Sequence, residues 1–390
     1  MSKNKPIAER IQHINPFYVM DILAQAKKLE AEGHDVIHLE VGEPDFATPE
    51  AVKSAAKQAI DEDKTYYTAA TGLPELRAKI AQYYKSRLDA EVAAENIVIT
   101  PGASGALQLA LSVVVNPGQN VLMADPGYPC NRHFVRLLEG KAKTINVGPE
   151  TSYQLTAALI DKHWDDKTAA VLLASPSNPT GTLVSFEEMS KIIDVVKKHQ
   201  GILLVDEIYQ GLVYKQKDFT AASMSRDIFV INSFSKFFSM TGWRLGWLVV
   251  PDIYMPGVDK LAQNLFLAAS SISQYAACSA FEQGTLKLLD AQRDQLQQRR
   301  DYLIKGLVSL GFEIPVIPGG AFYIYANVSK LTNDSFGFSQ QLLERAHVAI
   351  TPGLDFGSHE PHLHVRFAYT QNIERLQQAL DRIGNFLLTL

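Results

Sequence analysis

The sequence predicts an α/β fold: an open, mostly parallel sheet covered by helices, joined to a smaller α+β unit. Three observations carry that prediction. From about residue 48 to 250, helical patterns alternate with short apolar runs, the rhythm of a parallel sheet. The runs are rich in Val, Ile and Leu without polar alternation, as expected of strands covered on both faces. After about residue 275 the rhythm changes to one long amphipathic helix followed by short, separated runs.

Taken in order, the first helical pattern covers residues 17–32 and precedes the α/β rhythm. Thr48-Pro49-Glu50 reads as a cap, a first-turn proline and an early acid, opening a helix to about Asp61. Leu73-Pro74-Glu75 opens the next, with Leu76, Ile80, Tyr83 and Tyr84 on one face. The expected strands are residues 97–100, 121–124, 169–174, 202–205, 228–232 and 247–250. Ser185 and Glu188 fit a capping box, for a helix that stops at Gly201. Beyond 275 a helix is expected over 286–310, then short runs at 313–317, 321–326, 348–350 and 363–367, and a last helix. The division this gives is 45–275 for the larger unit and 1–44 with 276–390 for the smaller.

Composition narrows the function classes. Of 390 residues, 46% are hydrophobic and 20% charged, which fits a packed chain and excludes global disorder. The net charge of −5, with no block of Lys and Arg, argues against nucleic acid as a partner. No run of 18 apolar residues is present, so no membrane span is expected, and residues 1–6 lack a signal-peptide core. The two cysteines, Cys130 and Cys278, form no C-x-x-C, which suits a reducing cytoplasm and no zinc site.

In open α/β sheets, ligands sit at the carboxyl ends of the strands. Five of the expected strands end in groups that suit one ligand. After residues 97–100 come Gly102, Ala103, Ser104 and Gly105, small residues that let the backbone approach an anion at a helix start. After 121–124, Tyr128 sits between prolines and offers a fixed ring face. After 169–174, Ser177-Asn178-Pro179-Thr180-Gly181 supplies an amide. Asp206 ends an apolar strand, where a carboxylate needs a cationic partner, and Tyr209 follows it. Ser233 and Ser235 flank the approach to Lys236, whose amine in a dry pocket becomes a nucleophile toward carbonyls. Eight residues on, Arg244 can fork a phosphate or carboxylate. An aromatic phosphate cofactor bearing an aldehyde would use all five strand ends.

These residues resemble the pyridoxal-phosphate aminotransferases of fold type I, class I/II, the group that includes the aspartate aminotransferases. The matching pieces are Val41-Gly-Glu-Pro-Asp-Phe, Tyr67-Thr-Ala-Ala-Thr-Gly-Leu-Pro-Glu-Leu-Arg77, Thr100-Pro-Gly-Ala-Ser-Gly, Asp125-Pro-Gly-Tyr128, Ser177-Asn-Pro-Thr-Gly, Val205-Asp-Glu-x-Tyr209, Ser233-x-Ser-Lys-x-x-x-Met-Thr-Gly-Trp-Arg-Leu-Gly and Val365-Arg366-Phe. They occur in the family's order from about residue 40 to 368.

The resemblance implies a role for each. Lys236 would join pyridoxal 5'-phosphate as a Schiff base and carry the proton, with Asp206 holding the ring nitrogen protonated. Tyr209 and Asn178 would bond the ring's phenolic oxygen, and Tyr128 would stack on the ring. The amides of Ala103 and Ser104, with Ser233, Ser235 and Arg244, would hold the phosphate. Arg366 would fork the substrate's α-carboxylate, near Gly42, where the N-terminal segment closes over it. Tyr67 would reach the phosphate of a neighbouring subunit, which implies a homodimer.

The implied reaction moves an amino group between an L-amino acid and a 2-oxo acid by ping-pong half-reactions. Residues 102–116 contain no Lys or Arg to meet a second carboxylate, and Phe17, Tyr18 and Phe46 could line an apolar pocket. Neutral or aromatic amino acids are therefore the expected donors. Aspartate/2-oxoglutarate transfer and β-elimination on the same fold remain open.

Overall fold

The computed structural model describes residues 7–14 and 16–389. Residues 1–6, read above for a signal peptide, lie outside them. The chain opens with α1 (Tyr18–Ala31), β1 (Ile37–His38), α2 (Glu50–Asp61) and α3 (Pro74–Leu88). Leu76, Ile80, Tyr83 and Tyr84 of α3 are buried as their spacing predicts. Thr48 is not a cap: its hydroxyl donates to the Ser239 carbonyl and accepts the Trp243 indole N–H, and Pro49 stands at the helix boundary.

The α/β rhythm follows as β2 (Ile97–Thr100), α4 (Gly102–Val114), β3 (Asn120–Asp125), α5 (Pro129–Leu137), β4 (Lys141–Asn146), α6 (Ala157–His163), β5 (Thr168–Ala174), α7 (Phe186–Lys198), β6 (Ile202–Asp206), β7 (Ile228–Ser233) and β8 (Gly246–Val249). These strands form one seven-stranded sheet in the order β2-β8-β7-β6-β5-β3-β4. All pairings are parallel except those of β8, which runs antiparallel between β2 and β7. Both faces are covered. Val171, Leu173, Leu203, Val205 and Val230 face one apolar layer, and Leu172, Leu204, Phe229 and Ile231 face another that includes Leu107, Leu109 and Ala110 of α4. Each such side chain contributes about 1.5–3 kcal/mol on burial, which is why the runs carry no polar alternation.

β4 is the strand that the apolar pattern does not show. Its sequence, Lys-Ala-Lys-Thr-Ile-Asn, lies at the sheet edge, where one side meets solvent and lysines blunt the exposed ladder. The capping box of α7 is half formed. Ser185 Oγ accepts the Glu188 N–H at 3.1 Å, but the Glu188 carboxylate accepts the Ala157 N–H at 2.8 Å and so ties α6 to α7.

The remaining elements are α8 (Met255–Leu265), α9 (Ser271–Cys278), α10 (Gln283–Ser309), β9 (Tyr323–Asn327), α11 (Ser335–Ala346), β10 (Val348–Ala349), β11 (Thr351–Pro352), β12 (His364–Ala368) and α12 (Ile373–Leu387). The long helix begins three residues before its expected start. Residues 313–317 form no strand. Pro315 and Pro318 remove ladder donors there, and a single bridge from Glu313 to Asn327 is what forms. β11, β12 and β9 make a three-stranded antiparallel sheet with β12 in the middle. β1 pairs with β10, and the Ala368 N–H donates to the Leu39 carbonyl at 2.7 Å. The N-terminal segment is thus stitched to the last strands of the chain, beside Arg366.

Candidate active site

The carboxyl ends of β2, β3, β5, β6 and β7 open on one cavity of about 310 Å³. At the end of β2 the chain turns through Gly102 at φ +71°, a left-handed conformation that favours glycine. A Cβ at Gly102 would come within 2.7 Å of Arg244 Nη2, and one at Gly246 within 2.8 Å of the Ala103 nitrogen. Backbone and guanidinium therefore crowd around the free amides at the start of α4, which suits an anion. Arg244 Nη1 donates to the Thr241 carbonyl at 3.1 Å, and Ser233 Oγ accepts the Ser235 N–H at 3.0 Å.

Asp206 ends β6, buried, and accepts the Ile208 N–H at 3.1 Å. Among the described residues it has no ion-pair partner, and burial pushes its carboxyl up to about 7, against the opposing Ile208 N–H and the Lys236 charge. A cationic nitrogen bound beside it would hold the carboxylate ionised. Glu207 turns the other way, into bonds from Thr220, Gln210 and the Ala221 N–H. The Tyr209 hydroxyl lies 3.0 Å from that of Tyr323. Tyr128 follows β3 and meets the edge of Phe17 at 6.2 Å.

Lys236 Nζ lies beside the paired rings of Tyr209 and Phe322, 5.7 and 5.6 Å from their centroids, and donates to the Gly42 carbonyl at 2.8 Å. Burial, helped by the nearby Arg366 charge, lowers its amine to about 8. About a tenth of the amine is then unprotonated at pH 7, far more than for an ordinary lysine. Gly42 approaches so closely that a Cβ would overlap the Tyr323 hydroxyl.

Arg366, on the middle strand β12, is buried with its guanidinium 4.3 Å from the Tyr323 ring centroid and 4.9 Å from that of Phe356. Nη1 donates to Asn178 Oδ1 at 2.8 Å, and Nη2 donates to the Glu40 carbonyl and to Thr351 Oγ. Its Nε has no partner among the described residues.

Twelve of the thirteen residues singled out from sequence line this one cavity: Gly42, Ala103, Ser104, Tyr128, Asn178, Asp206, Tyr209, Ser233, Ser235, Lys236, Arg244 and Arg366. Tyr67 does not; its side chain is exposed, at 83%. Of the three aromatics considered for a substrate pocket, Phe17 lines the cavity with Val19, Met20 and Leu23. Tyr18 packs on Phe336 and Phe46 under Arg299. Sequence reasoning missed Tyr323, Thr351 and the Glu40 carbonyl. The turn Pro318-Gly319-Gly320 leading into an aromatic strand was the available signal for Tyr323; a carbonyl leaves none.

The donor set fits pyridoxal phosphate: an unpaired buried carboxylate, a glycine-lined anion cradle and a lysine with a depressed proton affinity share one cavity. The model for aminotransferase class I and II matches residues 34–383. The chain is 38% identical over 377 residues to a valine–pyruvate aminotransferase of Mycobacterium tuberculosis, covering 96% of this chain and 97% of that one. It is 37% identical over 384 residues to a (5-formylfuran-3-yl)methyl phosphate transaminase of Methanocaldococcus jannaschii, covering 98% and 99%. Its fold superposes with a TM-score of 0.92 on the Thermus thermophilus aspartate aminotransferase solved with maleate, at 30% identity over 98% of this chain and 100% of that one. Among the described residues no helix is long and apolar enough to cross a membrane. With fold, cavity and sequence in agreement, the chain belongs to the class I and II aminotransferases and is a pyridoxal-phosphate-dependent transaminase.

Proposed function

We propose that this transaminase moves the amino group of neutral or aromatic L-amino acids to a 2-oxo acid through two alternating half-reactions. The observation that carries the substrate class is the cavity wall. It presents three cations, Lys236, Arg244 and Arg366, and an apolar side made of Phe17, Val19, Met20, Leu23 and Leu107. In this reading Arg244 is committed to the phosphate, Arg366 to the α-carboxylate and Lys236 to the chemistry. The apolar side then meets the substrate side chain.

Bound pyridoxal phosphate supplies an aldehyde and a ring that withdraws electrons from the substrate's Cα. The chain's residues do the rest. Lys236 Nζ, partly unprotonated, is the nucleophile toward carbonyl carbon and afterwards the base that takes the Cα proton. Asp206 keeps a proton on the ring nitrogen. Tyr209, tied to Tyr323, and Asn178, tied to Arg366, set hydrogen bonds at the ring's edge. Ala103, Ser104, Ser233 and Ser235 hold the phosphate with Arg244, and Tyr128 covers the ring. Gly42 and the segment before it exclude water as the substrate enters. Residues 45–275 serve as the cofactor-binding unit, and 1–44 with 276–390 as the unit that brings Arg366.

The test is a screen of amino donors against several 2-oxo acids. Turnover with valine, leucine or phenylalanine well above that with aspartate is expected. Aspartate as the best donor would overturn the substrate class, and ammonia release in place of amino transfer would overturn the reaction. Arg366→Lys keeps the charge but loses the planar fork, so kcat/KM should fall about 10²-fold for every donor alike, with cofactor affinity little changed. A loss confined to one donor would mean that Arg366 reads side chains.

The exposed Tyr66 and Tyr67, next to the bond from Ser271 to the Tyr66 carbonyl, support a homodimer in which Tyr67 reaches the partner's phosphate. Tyr67→Phe should then speed cofactor release on dialysis about tenfold, as loss of one bond to a charged group implies. Unchanged release would sink the assignment. The free Cys130 and Cys278 support a reducing, cytoplasmic setting.

A further inference from the structure

Glu40 is fully buried, and its Oε1 lies 2.7 Å from His38 Nδ1. The other ring nitrogen, Nε2, lies 3.1 Å from Glu30 Oε1 on α1. Carboxylates only accept, so an imidazole bonded to two of them carries a proton on each nitrogen and is cationic. The main chain of Glu40 has a separate task. Its carbonyl accepts from Arg366 Nη2 and from Thr351 Oγ at 3.2 Å, and two residues on the Gly42 carbonyl accepts from Lys236. One short segment therefore holds both the carboxylate-binding guanidinium and the reactive amine. Its only buried side-chain charge is neutralised by His38.

We propose that Glu30, His38 and Glu40 form a charge clamp that sets the Glu40 carbonyl against Arg366, making His38 a positioning residue for α-carboxylate binding. Without the imidazolium, the Glu40 carboxylate would stand buried without a counterion, its Oε2 already lacking a partner among the described residues. It would turn toward water and take its own carbonyl with it. The proposal rests on Arg366 being the partner of the substrate carboxylate.

The surroundings of His38 make the clamp sensitive to pH. Glu30 faces it from α1 and Glu40 from its own segment, while β10 presents Ala349 across the register. The charges at the far end of β1 pair among themselves: Arg375 and Arg382 of α12 both hold Asp35. The rings of His34 and His347 stack on each other. The bond to Glu40 raises His38 to about 9, against an ordinary 6.5 and despite its burial. With its imidazole raised to about 9, the clamp is whole at pH 7 and is lost as pH rises through about 9.

The test titrates the holoenzyme with propanoate, which has the carboxylate but neither amine nor carbonyl, by calorimetry between pH 7 and 10. His38→Gln should weaken binding about tenfold at pH 7, within the range of positioning contacts, and the ratio to the unsubstituted enzyme should approach one by pH 10. His38→Lys, which restores a cation, should recover the affinity at pH 7. Cofactor affinity should be the same in all three. Unchanged propanoate affinity in His38→Gln, with Arg366→Lys still weakened, overturns the clamp alone. Unchanged affinity in Arg366→Lys overturns the reading beneath it. An equal, pH-independent loss in both His38 variants, together with lost cofactor affinity, assigns His38 to the fold and also overturns the clamp.

Discussion

Replacing Lys236 with alanine is expected to lower amino transfer by more than about 10⁴-fold, the upper end of what one positioned base contributes. The expectation follows from its place beside Tyr209 and Phe322, where burial depresses the amine to about 8 and the Gly42 carbonyl aims it. No other lysine lines the cavity among the described residues. The variant should keep its cofactor non-covalently, because the anion-suited cradle around Gly102 and Arg244 is untouched. Borohydride reduction followed by mass measurement gives the check. A reducible covalent linkage that survives in Lys236→Ala would show that another amine does this work.

Asp206→Asn should leave the fold intact and slow removal of the Cα proton by about 10²-fold to about 5 × 10³-fold. That range matches the 3–5 kcal/mol typical of breaking a buried charge pair. Asparagine has nearly the same shape, so β6 and its neighbours need not move. What is lost is the negative charge, and a neutral amide cannot keep a ring nitrogen protonated. Without its partner, Asp206 is a buried acid raised to about 7. With a cation beside it, the same burial strengthens the pairing, since little water competes. Stopped-flow measurement of the half-reaction with a single amino donor isolates the step. A rate close to that of the unsubstituted enzyme would remove Asp206 from the chemistry.

The meeting of the strand-end residues in one cavity was legible because it is written locally. Gly102 to Ser104, Asp206 to Tyr209 and Ser233 to Arg244 each sit within a dozen residues of a strand end, and a strand end fixes where they go. The wall around Tyr323 and Arg366 is assembled from contacts remote in sequence. Tyr209 meets Tyr323 across 114 positions, and Arg366 meets the Glu40 carbonyl across 326. No periodicity or spacing announces such a meeting. Phe17, Tyr18 and Phe46 show the same limit: three aromatics of equal standing in the sequence, one of them in the cavity wall. In the fold, β4 and residues 313–317 were misjudged for opposite reasons. An edge strand needs few apolar residues, while an apolar run broken by Pro315 and Pro318 cannot make a ladder.

The stitching of the N-terminal segment to β10 and β12 has a consequence for how the enzyme is made. Asp355 accepts the Tyr18 and Val19 N–H groups at 2.8 Å each, and so holds the start of α1 from 337 and 336 positions away. The ribosome delivers α1 first and its partners nearly last. At about 5–20 residues per second, that interval is roughly 15 to 70 seconds. Throughout it the apolar face of α1, Val19, Ile22 and Ala26, has nothing of its own chain's C-terminal part to cover it. The seven-stranded sheet can gather while synthesis continues, because all its strands lie between Ile97 and Val249. The cavity wall around Arg366 cannot form until the chain is nearly complete. A nascent chain therefore acquires the glycine-lined cradle at the start of α4 well before it acquires the wall that carries Arg366.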